Sequence, residues 1–299
     1  MSDTALIGLD WGTTSARAYR IDRNGHVIDA RRAPLGIQNV RDGAFASALD
    51  RLLGDWRDIA VPRLACGMIG SRQGWIEAPY CETPVSLAAL AESIARVPEA
   101  SLGIVPGVRT RDARGMPDVM RGEETQMLGA IDASSPRAFA VLPGTHSKWA
   151  RVEEGRLAAF TTFMTGEAYA ALLEHTILGR LADRNAPASD TDSFIAGVNR
   201  GLARGALLHD MFGARTLALF GELPARGVAD WLSGLLIGHE VAAARAWAPQ
   251  MQSVEVIATD ALAQRYVLAC AQAGLGAAPA TAHAAARGLW RIAMTTGRL

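Results

Sequence analysis

Lysine is almost missing from this chain. Of the 30 basic residues among 299, Lys148 alone is lysine and the others are arginine. An excess of charge is missing too: the formal net charge is zero. Neither nucleic acid nor an anionic membrane is therefore expected as a partner, and any anion site must be local. No run approaches the ~18 consecutive apolar residues of a spanning helix. Met1-Ser2-Asp3-Thr4 has neither the basic nor the apolar region of a secretory leader. The three cysteines, Cys66, Cys81 and Cys270, are few, odd in number and not at metal-ligand spacing. They fit a reducing, cytoplasmic setting, with Cys66 as a small buried hydrophobe. Two phosphate-binding signatures are also lacking. Without G-x-x-x-x-G-K-[ST] the chain is no P-loop enzyme, and without G-x-G-x-x-G after a strand the dinucleotide-binding fold loses support.

What is present is a core-building composition, 49% hydrophobic and 20% charged, arranged as alternating strand and helix patterns. Residues 5–9 predict a buried strand ending at Asp10 and a Gly12-Thr13-Thr14 turn. Two strands, 16–22 and 26–31, then flank Asn24-Gly25, a strong hairpin signal. Helices are expected over 44–56, 87–96 and 122–131, and strands over 63–68 and 102–105. The opening pattern then returns: strand 139–142, turn Gly144-Thr145, strands 147–152 and 156–163 around Glu154-Gly155. Ser15 falls on Ser147, and Asp10 falls opposite Leu142. This reads as a degenerate duplication, with domains 1–134 and 135–299. The second half is otherwise helical, over 168–181, 194–208, 228–247, 262–273 and 281–294, with a late strand at 254–258.

The two Gly-Thr turns carry the chemistry. Glycine lets backbone N–H groups approach phosphate oxygens, and the Thr13, Thr14 and Thr145 hydroxyls add donors. Asp10 is placed to hold a magnesium ion beside a polyphosphate. The competing reading is an ordinary turn with Asp as a turn former; two such turns at equivalent places favour the first. Lys148, a compact ammonium in an arginine-rich chain, follows the second turn and reads as a phosphate or substrate contact. His146 either donates to phosphate or satisfies the loop.

The segments Ile7-Gly8-Leu9-Asp10-Trp11-Gly12-Thr13-Thr14 and Pro143-Gly144-Thr145-His146-Ser147-Lys148 resemble the two phosphate motifs of actin/hexokinase-like sugar kinases. With Gly67-Met68-Ile69-Gly70-Ser71, Met120-Arg121-Gly122-Glu123-Glu124 and Leu235-Leu236-Ile237-Gly238, the chain resembles the 2-dehydro-3-deoxygalactonokinase family along nearly its whole length. The resemblance implies an α/β fold of two duplicated ribonuclease-H-like domains with a cleft between them. It also implies ATP and Mg2+ as cofactors and a small sugar acid as substrate. Related kinases carry a Gly-Asp pair at a fixed distance before the second turn. Glu123, 21 residues before Gly144, is therefore preferred to Glu124 as general base; the rival reading is that both complement a helix N-terminus. Ser71, Trp75, Glu77, Tyr80 and Arg121 are the substrate-binding candidates. The alternative is that Trp75 and Tyr80 pack the loop. Ala258 and Thr259 stand where an adenosine turn is expected, although its usual glycine is missing. Rival functions are a kinase for 2-keto-3-deoxygluconate or another sugar acid, and a silent nucleotide-binding sensor. Nothing in the sequence demands a homodimer, and nothing opposes one.

Overall fold

The structure, a computed structural model, describes residues 4–132, 134–183, 185 and 189–297. In the first half the order is β1 (Thr4–Trp11), β2 (Ala16–Asp22), β3 (Val27–Ala33), α1 (Phe45–Leu53), β4 (Arg63–Cys66), β5 (Tyr80–Glu82), α2 (Leu87–Glu92), β6 (Ala95–Val97), β7 (Leu102–Ile104), β8 (Gly107–Arg111), β9 (Pro117–Met120) and α3 (Glu123–Ala130). There follow β10 (Arg137–Leu142), β11 (Ser147–Glu153), β12 (Arg156–Phe163), α4 (Thr165–His175), α5 (Thr191–Leu202), α6 (Leu207–Leu219), α7 (Val228–Trp247), β13 (Ser253–Val256), α8 (Asp260–Gln272), β14 (Gly276–Pro279) and α9 (Ala284–Thr295).

The sheets repeat. The first runs β3-β2-β1-β4-β7-β6 and the second β12-β11-β10-β13-β14. In each, a meander of three consecutive strands forms one side. Parallel strands continue the other: β1 beside β4 beside β7, and β10 beside β13 beside β14. The expected duplication is thus visible as topology, although the halves share few residues. Within β1–β2 the register sets Asp10 against Arg17 and, through β4, beside Cys66.

The chain divides into two compact units, Met1–Ala138 with Ala150–Phe160 and Ala280–Leu299, and Phe139–Trp149 with Thr161–Pro279. A single cut near 134 describes neither, because the C-terminal helix α9 belongs with the first unit. There Gly129 of α3 and Gly288 of α9 meet backbone to backbone: a Cβ on Gly129 would lie 2.0 Å from the Ala284 carbonyl oxygen, and one on Gly288 2.0 Å from that of Thr125. The first unit's core gathers Ile7, Leu9, Trp11, Phe45, Leu49, Trp56, Ile69 and Ile104. The second unit's core gathers Val141, Trp149, Phe194, Val241, Val256 and Tyr266.

Several expected boundaries move. The 87–96 helix stops at Glu92, where the Ser93 N–H caps the Ala89 and Leu90 carbonyls, and the β-branched Ile94 and Val97 bracket an edge strand instead. The 194–208 helix breaks at Arg204 (φ 55°) and Gly205, and α6 starts beyond it. The small sheet β5-β8-β9 was not expected at all. No helix among the described residues is long and apolar enough to cross a membrane.

Because α9 meets α3 through closely packed glycine backbone, with Arg291 donating to the Leu128 and Ile131 carbonyls beside it, Gly288→Ala should lower unfolding free energy by about 1–3 kcal/mol, the usual range for overpacking. Denaturant titration checks this; an unchanged midpoint would mean that the two helices separate freely.

Candidate active site

In the first unit, three glycines crowd the end of β1. A Cβ on Gly36 would sit 2.3 Å from the Thr13 carbonyl oxygen, and one on Gly67 2.7 Å from that of Trp11. One on Gly122 would sit 2.8 Å from the Gly67 Cα. Gly67 and Gly122 also have φ of 98° and 104°, conformations that side chains disfavour. The Gly12-Thr13-Thr14 turn closes with Gly12 N–H donating to the Ser15 carbonyl at 2.9 Å. It is strapped by Ile37 and Gln38 N–H groups donating to the Gly12 and Thr13 carbonyls, and by Asn39 Nδ2 donating to that of Thr14.

This convergence brings Asp10, Glu123 and Glu124 together. Asp10 is largely buried and lies 3.5 Å from the Arg17 guanidinium. Burial pushes its carboxyl above the usual range, Arg17 opposes this, and the nearby Glu123 charge adds to it. Glu123 opens α3 and is held through Oε2, which accepts the Arg121 N–H at 2.8 Å. Glu124 is fully buried, and both its oxygens are engaged: Oε2 accepts the Gly122 N–H at 2.7 Å and Oε1 the Thr125 hydroxyl at 2.8 Å. Burial first, and then the charge of Glu123, push Glu124 up to about 7. The helix-N-terminus reading explains how both glutamates are held, since each accepts a backbone N–H there.

The 70–80 loop supplies the other candidates. Arg121 is buried; its Nη2 donates to the Ala78 carbonyl at 2.8 Å and its guanidinium lies 4.2 Å over the Tyr80 ring. Its guanidinium therefore turns toward the loop, while only its backbone engages Glu123. Arg121 Nη1 and Ser71 Oγ are buried without a hydrogen-bond partner. Trp75 stacks on Phe45 with ring centroids 6.0 Å apart, so its ring packs the loop onto the core. Glu77 lies 3.7 Å from Arg72, both exposed.

In the second unit, Gly144 and Thr145 are pressed by the start of α4. A Cβ on Gly166 would fall 2.3 Å from the Gly144 carbonyl oxygen, and the Glu167 N–H donates to that of Thr145 at 3.0 Å. His146 Nε2 lies 2.6 Å from Glu167 Oε2. Lys148 is buried rather than a surface cation, and its Nζ donates to Thr162 Oγ1 at 2.8 Å. Thr259 is the N-cap of α8, and Asp260 is the helix's first residue rather than its cap. Glu240, a buried carboxylate beneath β11, escaped sequence reasoning altogether: an internal position of an apolar helix carries no local signal.

Two sheets of repeated strand order, each with a Gly-Thr turn after its first strand, define an actin/hexokinase-like ATPase fold of the sugar-kinase kind. A carbohydrate kinase from Novosphingobium aromaticivorans shares that fold at 12% identity (TM-score 0.51, 97% of this chain and 93% of that one). The family pattern for 2-keto-3-deoxy-galactonokinase matches residues 10–292, and the chain belongs to that family. It is 35% identical over 260 residues to the 2-dehydro-3-deoxygalactonokinase of Escherichia coli K12, covering 87% of each chain. A crystal structure of a Sinorhizobium meliloti protein, named as a candidate 2-dehydro-3-deoxygalactonokinase, superposes with a TM-score of 0.88 at 36% identity, over 98% of this chain and all of that one.

Glu124 makes stability depend on pH. Its folded pKa lies above the ordinary 4.5, so its contribution is complete below about 4.5 and disappears as pH rises through about 7. Glu124→Gln should flatten that fall, by up to about 3 kcal/mol between pH 4.5 and 8. Urea unfolding across this range checks it; an unaltered slope would place the titration elsewhere.

Proposed function

We propose that the protein transfers the γ-phosphoryl group of MgATP to the C6 hydroxyl of 2-dehydro-3-deoxygalactonate. The observation that carries this reading is the meeting of Asp10 and Glu123 at a glycine-crowded strand end, in a chain of the 2-keto-3-deoxy-galactonokinase family. Glu123 is the general base: it is held by one carboxylate oxygen, whereas Glu124 has both engaged and no exposure. Glu124, with its raised pKa, orders the backbone of the α3 N-terminus. The unpartnered Arg121 Nη1, beside Gly70, together with Ser71 Oγ, is suited to the substrate carboxylate or a hydroxyl.

Magnesium fits the donor set. A buried carboxylate such as Asp10 seeks a cation, and this ion commonly takes only one or two protein carboxylates alongside phosphate oxygens. When bound, it would neutralise charge on the transferring phosphoryl group. Gly12, Thr13, Thr14, Gly144, Thr145 and Lys148 hold the phosphates. His146, tied to Glu167, orders its turn. Ala258 and Thr259 face the nucleoside. Tyr80 and Glu77 border the acid, and Trp75 shapes their loop.

ADP release, measured in parallel with 2-keto-3-deoxygalactonate, 2-keto-3-deoxygluconate and no sugar, tests the assignment. Selective turnover with the galactonate is expected; release independent of sugar would overturn it. Glu123→Gln should lower kcat by about 10²–10⁴-fold, and Asp10→Asn should also abolish most turnover. Near-normal turnover in either variant removes that residue from the mechanism.

A further inference from the structure

Glu240 lies on α7, inside the second unit, 2% exposed. Its Oε1 accepts Trp149 Nε1–H at 2.7 Å, and its Oε2 accepts the Tyr266 hydroxyl at 2.9 Å. The Tyr266 oxygen lies in turn 2.7 Å from Ser147 Oγ. The hydroxyls of Thr165 and Ser147 also stabilise the charged form, yet burial dominates and lifts the carboxyl to about 7. A buried carboxylate with this many donors is costly to assemble unless every partner is held.

The partners are not scattered. Ser147 and Trp149 flank Lys148 on β11, and side chains two apart share one face of a strand. Anchoring both to Glu240 therefore commits Lys148 to the opposite face, where its Nζ donates to Thr162 of β12. Thr165 starts α4, the helix whose next residue, Gly166, presses on the Gly144 carbonyl. Tyr266 belongs to α8, which Thr259 caps. One carboxylate thus touches the strand that leaves the second Gly-Thr turn, the helix that packs against that turn, and the helix that follows Ala258-Thr259. Helix α7 itself is set by close contact: Cβ atoms on Gly234 and Gly238 would fall 2.0 and 2.3 Å from the Phe194 and Val198 carbonyl oxygens of α5. Glu240 therefore has no freedom to follow a displaced turn.

We propose that Glu240 is the positioning residue of the nucleotide-phosphate segment, fixing Gly144–Lys148 and the start of α8 as one rigid group while touching no substrate itself. This rests on the reading above that Gly144–Lys148 holds the nucleotide phosphates. Glu240→Gln keeps the shape but offers an amide N–H₂ to a neighbour that is itself a donor, so it should loosen the group.

The test varies MgATP and sugar acid independently and records thermal unfolding. For Glu240→Gln the KM for MgATP should rise about tenfold or more, with the KM for the sugar acid changed by less than about twofold. Both KM values unchanged, with kcat falling only as the folded fraction falls, would overturn the proposal and leave Glu240 as scaffold. Should Glu240→Gln not fold, Tyr266→Phe decides. It removes the Tyr266 hydroxyl's bonds to both Glu240 and Ser147 while leaving the carboxylate in place, and should raise the MgATP KM about threefold; no change overturns the proposal. Lys148→Met, run alongside, separates the two readings. A raised MgATP KM in that variant with an unchanged one in Glu240→Gln defeats the positioning role alone. Unchanged values in both defeat the phosphate-segment reading as well.

Discussion

The first unit's site depends on how closely backbone can approach backbone at the end of β1. Three chain segments, around Gly36, Gly67 and Gly122, come within distances that a single Cβ would forbid. That approach lets the α3 N-terminus deliver two carboxylates to the neighbourhood of Asp10. The electrostatics follow from it. Asp10 and Glu124 are raised chiefly by burial, and Glu123 adds like charge to both. Such clustering of shifted carboxyls marks functional sites more often than chance packing does.

The second unit repeats the sheet order but solves the anion problem differently. Leu142 stands where the first strand has Asp10, so this turn carries no carboxylate at its strand end. Its negative charge lies instead beneath β11, at Glu240, where it draws hydroxyl and indole donors rather than a cation. The asymmetry leaves the first turn beside the Asp10 and Glu123 carboxyls and the second above a buried cluster of hydroxyl and indole donors. The one lysine of the chain lies buried here, where its compact ammonium donates to Thr162.

Much of this is legible in the sequence. Strand 16–22 and helix 228–247 appear residue for residue, because alternation and turn chemistry are local. The Gly-Thr turns, Asp10 and the Glu123-Glu124 pair were legible as motifs. The spacing favours Glu123 over Glu124, but it does not carry which carboxylate loses its exposure: Glu124 is fully buried with both oxygens engaged. Trp75 is a substrate candidate by sequence with loop packing as the alternative, and its stack on Phe45, distant in sequence, is the packing arrangement. Arg121 is a substrate-binding candidate by sequence, and its guanidinium lies against Ala78 and Tyr80 of the candidate loop. The strands of the β5-β8-β9 sheet are only three to five residues long; β8 and β9 form a hairpin, and β5 joins them across more than twenty residues of chain, which no local pattern reveals. Glu240 was silent for the same reason: its partners Trp149, Thr165 and Tyr266 come from three separate elements.

Proton-coupled phosphorus NMR of the reaction products addresses phosphoryl transfer most directly. With MgATP and 2-dehydro-3-deoxygalactonate, a new monoester signal split into a triplet by the two protons of a primary carbon should grow in step with ADP. A doublet would place the phosphoryl group on a secondary hydroxyl, and a singlet of inorganic phosphate growing with ADP would mean transfer to water; either result contradicts a kinase acting at C6.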